Sequence, residues 1–244
     1  PRVRSSAASD VYKRQGPNTH VLKHGEKIYA LVEGGVSPVI MDSEMNFLEE
    51  EPFPAADNKR FTAHPKIDSD TGEMHAVSYD FGEYVNGLGQ VHYVTIDSNG
   101  KLIKDQIIET PSRPMVHDCA ITKNYVLIFD LPVTFNLGRR DDDNNPIGGD
   151  YPVVWNDKHT SRVGLQNKKT DEIIWIEVNP GFLFHIVNSY EDDNGQVILD
   201  FCRYERLFDF DNPLPMGQKP FLTRWILDPK TKTCSEEMLD DRPM

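Results

Sequence analysis

The chain has 244 residues, of which 38% are hydrophobic and 10% are aromatic. This composition supplies a hydrophobic core and excludes a disordered chain, and the length allows one large β domain or two small ones. The formal net charge of −13 argues against a nucleic-acid partner, because nucleic-acid phosphates require clustered Lys and Arg.

Short β-prone runs separated by turn signals begin at Gly16, whereas residues 1–15 show no apolar periodicity and differ in composition. We therefore expect 1–15 to be a non-native or disordered tail and 16–244 to carry the fold. Strands and hairpins are predicted, in chain order, at 27–34, 74–81, 91–110, 125–135, 161–178, 182–204 and 221–238. The hairpin at 91–110 turns at Asn99-Gly100, a dipeptide typical of tight β-turns.

No stretch of ten or more residues has a helical apolar period, so an all-β sandwich, barrel or propeller is predicted. The one long polar loop, at 137–152, is expected to be functional or disordered.

The three cysteines, Cys119, Cys202 and Cys234, are odd in number and have no close spacing. This pattern fits neither a disulfide framework nor a zinc knuckle and indicates reduced thiols. No apolar run approaches the length of about 18 residues needed to span a bilayer, and the start of the chain has no secretory segment. We expect a cytoplasmic protein.

Three histidines occupy similar settings: His64 in FTAHPKID, His117 in PMVHDCAIT and His185 in FLFHIVNSYED. Each lies in or beside a β-prone segment, and more than fifty residues separate one from the next. Ligands gathered from several strands are typical of a metal held at the axis of a closed β architecture. A neutral imidazole binds divalent iron, zinc or copper, so the spacing alone leaves the metal open.

Glu33 is the candidate partner of such a centre. A metal-bound histidine usually donates its other ring N–H to a carboxylate or a carbonyl. Glu33 sits in the otherwise apolar segment ALVEGG, where an unpaired buried charge would be costly. A position close to one of the histidines is therefore predicted.

The segments around these residues resemble the carotenoid cleavage oxygenase family. The similar blocks are THVLKHGEKIYALVEGG, FTAHPKIDSDTGEMHAVSYDF, PMVHDCAITKNYVLIFDLPVTF and FLFHIVNSYEDDNGQVILDFCRY, and SRVGLQNKKTDEIIWIEV resembles a further strand. The resemblance covers residues 17–244 in order. It implies a seven-bladed β-propeller with one Fe(2+) on its axis, held by four histidines.

The resemblance assigns roles to individual residues of this chain. His64, His117 and His185 match the first three iron ligands, and Glu33 matches the glutamate that orients the second ligand, here His117. No histidine follows His185, so the fourth ligand and two further orienting glutamates have no counterpart here. We therefore expect 16–244 to be roughly half of the blades of an enzyme and to be inactive alone.

The resemblance also implies the chemistry and the substrate. Similar enzymes insert O2 across a conjugated C=C bond and release two carbonyl products without a side-chain acid or nucleophile. In the stilbene-cleaving branch a lysine precedes the orienting glutamate, whereas this chain has Val32, which cannot stabilise a phenolate and suits an apolar polyene. The expected partners are O2 and a carotenoid or apocarotenoid, with peripheral membrane contact and no protein partner. A stilbene-cleaving dioxygenase and a non-catalytic ligand-binding propeller are the alternatives.

Overall fold

The computed structural model describes residues 18–33, 37–50, 61–79, 89–135, 152–209 and 218–243. Within these ranges the regular elements are all β-strands. The predicted tail at 1–15 and the predicted loop at 137–152, apart from its last residue, lie outside the described residues.

Four antiparallel sheets of four strands follow one another along the chain, and we call them the first to fourth blades. The first blade contains β1 (His20–His24), β2 (Lys27–Leu31), β3 (Val39–Met41) and β4 (Phe47–Glu50). The second contains β5 (Lys66–Ile67), β6 (Met74–Tyr79), β7 (Gly89–Ile96) and β8 (Leu102–Thr110). The third contains β9 (Ala120–Ile121), β10 (Tyr125–Asp130), β13 (Arg162–Asn167) and β14 (Ile173–Glu177). The fourth contains β15 (Ile186–Glu191), β16 (Val197–Arg203), β17 (Phe221–Asp228) and β18 (Thr233–Met238).

Each blade is a meander in which strands that are consecutive in the sheet pair antiparallel. Successive meander sheets of this kind are the blades of a β-propeller. The expected all-β fold, an incomplete seven-bladed β-propeller with roughly half of the blades, is confirmed.

The third blade departs from the prediction of one continuous strand at 125–135, which is wrong. The apolar run is divided into β10, which ends at Asp130, and β11 (Val133–Phe135), which belongs to another sheet. Pro132 lies at the break, and a proline has no N–H to donate to a ladder. Strand β11 pairs with β12 (Val153–Trp155) to form a separate two-stranded sheet, which is inserted in the sequence between β10 and β13 of the third blade.

Aspartates and glycines close the turns between strands, as the Asn99-Gly100 signal predicted. Gly100 has φ +84°, and one oxygen of Asp97 accepts hydrogen bonds from the backbone N–H groups of Asn99 and Lys101 at 2.9 Å each. Glycine takes this left-handed conformation without steric cost, whereas other residues pay for it. The local sequence therefore fixes the β7–β8 register.

Apolar side chains pack the blades against one another. One buried cluster runs through the second, third and fourth blades and includes Tyr93, Phe129, Leu165 and Trp225. A smaller cluster, which includes Tyr29 and Met74, joins the first blade to the second. The four blades therefore share a continuous set of interfaces that can hold side chains from different blades in fixed positions.

Candidate metal centre

The three predicted histidines lie just before the first strands of three successive blades. His64 is two residues before β5, His117 is three residues before β9, and His185 immediately precedes β15. Blades are arranged radially around a central channel in a propeller, so equivalent positions of neighbouring blades approach the same axis. The structure brings the three histidines together for this reason.

The three imidazole rings form a compact triangle. Their centroids are 4.8 Å apart for His64 and His117, 4.9 Å for His64 and His185, and 4.9 Å for His117 and His185. One ring nitrogen of each residue lies within 4.8 Å of the other two. Within the described ranges, no other His, Cys, Asp or Glu belongs to this group of possible metal ligands.

One pair of these ring nitrogens already has the spacing that a shared divalent metal ion requires. Nitrogens that share one ion at about 2.1 Å stand roughly 3.0 to 3.4 Å apart, depending on the coordination angle. The Nε2 atoms of His117 and His185 are 3.2 Å apart. The Nε2 atom of His64 is buried and has no hydrogen-bond partner among the described residues, so its lone pair could bind a metal ion held between the three rings.

The environment keeps the ring nitrogens available as ligands. Burial lowers the pKa of His64 to about 4; the Asp118 carboxylate opposes this shift, and His117 and His185 reinforce it. Burial also lowers the pKa of His185, with a further contribution from His117. Both rings are therefore neutral at pH 7, which is the form that binds metal ions.

Glu33 lies beside one of the three histidines. Its Oε2 atom lies 2.7 Å from Nδ1 of His117, and its Oε1 atom accepts a hydrogen bond of 2.6 Å from the Tyr79 hydroxyl. Burial and the Glu33 charge raise the pKa of Tyr79, so this hydroxyl keeps its proton. A carboxylate at this distance favours the tautomer with the proton on Nδ1 of His117, which would leave the lone pair on Nε2, the nitrogen that faces His185.

An aromatic side chain packs against this centre, and the residue before Glu33 is apolar. Val32 immediately precedes Glu33 and is half-buried. Phe184 packs edge-on against the His117 ring, with centroids 5.3 Å apart.

Two polar residues of the centre were not predicted from the sequence. Tyr79 lies in β6, and nothing in its segment distinguishes it from other strand tyrosines. Asp118 directly follows His117 and is only 3% exposed. A charge in the apolar run PMVHDCAIT was an available signal for Asp118, of the same kind that pointed to Glu33.

A search of the described ranges for a helix long and apolar enough to cross a membrane finds none.

A β-propeller that brings histidines from several blades to one point defines a class of propeller proteins whose centre could hold a metal ion. The family model described as retinal pigment epithelial membrane protein matches residues 4–244. The chain belongs to this family, which is that of the carotenoid cleavage oxygenases.

Individual relatives agree with this assignment. The chain is 33% identical over 266 residues to a carotenoid cleavage oxygenase of Mycobacterium tuberculosis, covering 93% of this chain and 52% of the relative. A lignostilbene dioxygenase of Pseudomonas brassicacearum superposes with a TM-score of 0.75 at 28% identity, over 93% of this chain and 48% of that one. The cobalt-substituted ACO of Synechocystis gives a TM-score of 0.74 at 24% identity, over 93% and 49%. The chain spans about half the length of the relatives it matches.

Proposed function

We propose that the whole protein is a non-haem Fe(2+)-dependent dioxygenase that cleaves a conjugated C=C bond of a carotenoid or apocarotenoid with O2. The products would be two carbonyl compounds. The observation that carries this proposal is the convergence of His64, His117 and His185 from three blades, in a chain of the carotenoid cleavage oxygenase family.

The residues of this chain would hold the ion and keep its charge. His64, His117 and His185 are neutral donors, so an Fe(2+) ion bound to them retains its 2+ charge. Bound iron supplies the redox chemistry that activates O2. Glu33 holds the proton of His117 on Nδ1, and Tyr79 in turn fixes the Glu33 carboxylate.

The surroundings of the centre support an apolar substrate. Val32 has no hydrogen-bond donor, so it cannot bind a phenol or stabilise a phenolate at that position. Phe184 adds an aromatic face beside His117. The name of the mycobacterial relative, a carotenoid cleavage oxygenase, agrees with this substrate class.

A stilbene-cleaving dioxygenase is the second candidate. The observation in its favour is the structural similarity to the lignostilbene dioxygenase of Pseudomonas brassicacearum, with a TM-score of 0.75 at 28% identity. A propeller that binds an apolar ligand without catalysis is the third candidate. Measuring the metal content of the protein distinguishes it from the other two, which require bound iron.

The test uses the protein in its full reading frame, purified and loaded with Fe(2+). Incubation with an apocarotenal or a hydroxystilbene under ¹⁸O2, followed by mass spectrometry of the products, distinguishes the substrates. We expect ¹⁸O-labelled carbonyl products from the apocarotenal, and none from the His117→Ala variant. His24→Gln is the matched control, because the His24 ring forms a 2.6 Å hydrogen bond with the carbonyl oxygen of Asp97 and is not one of the three histidines of the centre. Labelled products from the hydroxystilbene alone would select the second candidate, and protein without bound iron would select the third.

The setting of the proposed enzyme follows from its substrate. Carotenoids dissolve in membranes, so we propose a cytoplasmic protein that makes peripheral contact with a membrane. Cys119 and Cys234 carry free thiols, which supports a reducing compartment.

A further inference from the structure

One buried carboxylate lies among all three histidine segments. Asp118 is 3% exposed, and its Oδ1 atom lies 2.7 Å from Nζ of Lys66. The same oxygen accepts a 2.7 Å hydrogen bond from the backbone N–H of Cys119. The other oxygen, Oδ2, accepts a 3.3 Å hydrogen bond from the backbone N–H of Ile186. Both carboxylate oxygens are therefore engaged.

The partners of Asp118 come from three blades, and each is close to a histidine. Lys66 is the second residue after His64 and opens β5. Asp118 itself follows His117. Ile186 directly follows His185 and opens β15. A single side chain thus ties together the three segments from which the ring nitrogens converge.

We propose that Asp118 is a positioning residue that sets the relative placement of His64, His117 and His185. This inference rests on the proposed metal centre but not on its substrate. Metal binding tolerates only small errors in ligand distance, within about 0.2 Å, so the three backbones must be held in register before the ion arrives. Blade packing alone fixes the strands, whereas the histidines precede the strands and need a contact of their own.

The contacts of Asp118 require a carboxylate. Its three neighbours are all donors: the ammonium of Lys66 and the N–H groups of Cys119 and Ile186. In Asp118→Asn, one of the two side-chain positions becomes an NH2 group, which faces a donor in either orientation. At least one tie between the segments is then lost, although the volume of the side chain is unchanged.

Asp68→Asn is the matched control. Asp68 is also a buried aspartate, and its Oδ2 atom lies 2.7 Å from Nζ of Lys168, so the substitution removes the same kind of ion pair between blades. Asp68 lies four residues after His64, but its side chain contacts Lys168 and the backbone of the turn at Asp70, and so does not tie the His64 segment to the segments of His117 and His185. A purely structural effect of neutralising a buried aspartate would appear in both variants.

The Lys66→Met variant distinguishes a loss of ligand positioning from a change in the charge near the metal centre. The substitution cuts the tie to the His64 segment and leaves both backbone hydrogen bonds of Asp118 in place. Loss of a nearby positive charge would by itself strengthen the binding of a cation. Weaker metal binding by this variant therefore reports a loss of positioning, and the variant also serves if Asp118→Asn does not fold.

The experiment measures the affinity of the full-length protein for Co(2+), the visible spectrum of the cobalt form, and unfolding by urea. We expect Asp118→Asn to weaken Co(2+) binding about tenfold or more and to alter the ligand-field bands, whereas Asp68→Asn retains the wild-type affinity and spectrum. Lys66→Met should also bind Co(2+) more weakly than the wild type.

Two results would overturn the inference: wild-type affinity in both Asp118→Asn and Lys66→Met, or an equal loss of affinity in Asp118→Asn and Asp68→Asn. Failure of the wild-type protein to bind Co(2+) would contradict the proposed metal centre itself, which is a different outcome.

Discussion

The Glu33 carboxylate binds two donors that have different consequences. Its contact with Nδ1 of His117 selects the tautomer whose Nε2 lone pair faces the other histidines, and its contact with the Tyr79 hydroxyl fixes the carboxylate itself. A chain of three side chains therefore runs from the interior of the second blade to the centre. Each of these contacts restricts the orientation of the next side chain.

Replacing Glu33 with glutamine should weaken metal binding more than removing its tyrosine partner. In Glu33→Gln, the amide can donate to Nδ1 of His117, which moves the ring proton to Nε2 and blocks the ligand; loss of such a partner costs about 10- to 100-fold in metal affinity. Tyr79→Phe keeps the carboxylate and should cause a smaller loss. Titration with Fe(2+) or Co(2+) measures both, and equal affinities for the wild type and Glu33→Gln would contradict the proposed role.

The sequence points to part of this centre. The three histidines are indicated by their β-prone settings together with the resemblance of the flanking blocks to a known family, and Glu33 by its place in an apolar segment. Tyr79 has no such signal, because its partner is 46 residues away and the contact exists only once two blades have packed. The role of Asp118 likewise depends on three segments that are distant in sequence.

Among the elements, turns were predictable and the ends of apolar runs were not. Asn99-Gly100 marks a turn through backbone chemistry that acts locally, so the β7–β8 hairpin follows from the sequence. The run at 125–135 is mostly apolar; Pro132 marks the break, but the pairing of β11 with β12 in a separate sheet depends on tertiary structure. Periodicity cannot report which sheet a strand joins.

Glu191 in β15 links the fourth blade to the third, and its removal should destabilise both. Its carboxylate accepts hydrogen bonds from the Thr122 hydroxyl at 2.6 Å, the Asn124 N–H at 2.7 Å and the Asn124 side-chain amide at 2.6 Å. Net contributions of about 1.5 to 3 kcal/mol are typical of hydrogen bonds to charged groups. We expect Glu191→Ala to lower the free energy of unfolding by about 3 kcal/mol, measured by urea denaturation.

The exposed strand residue Glu177 provides the comparison for that experiment. Substitution at such a surface position usually changes stability by no more than about 0.5 kcal/mol. A Glu191→Ala variant as stable as Glu177→Ala would show that the contact between the blades contributes nothing.

The stability of the whole molecule should fall as the pH is lowered. Burial lowers the pKa of His64 and of His75 to about 4, whereas both titrate near 6.5 in the unfolded chain. Between pH 6.5 and 4 the unfolded state therefore binds more protons, and protons favour unfolding. The free energy of unfolding of the metal-free protein, measured in urea at intervals from pH 7.5 to 4.5, should decline through this window.

His75→Gln should make that decline shallower, because one of the histidines whose pKa is lowered by burial no longer titrates. The variant loses the hydrogen bond between His75 and the Tyr93 hydroxyl, which is 2.9 Å long, so it should also be less stable at pH 7.5. A free energy of unfolding that is constant or rises as the pH falls from 6.5 to 4.5 would contradict the prediction.

At the scale of the whole molecule, a metal ion at this centre would bind three blades together. His64, His117 and His185 precede strands of the second, third and fourth blades, so separating any two of these blades breaks a ligand bond. A ligand that binds only the folded state stabilises it by about 2.7 kcal/mol at a concentration 100 times its dissociation constant.

Saturating Co(2+) should therefore raise the Tm of the full-length protein, and chelation should reverse the rise. His117→Ala should abolish the shift, while His24→Gln, which leaves the centre intact, should retain it. A shift of equal size in His117→Ala would mean that the ion binds elsewhere, since the three histidines could not then be the ligands that join the blades.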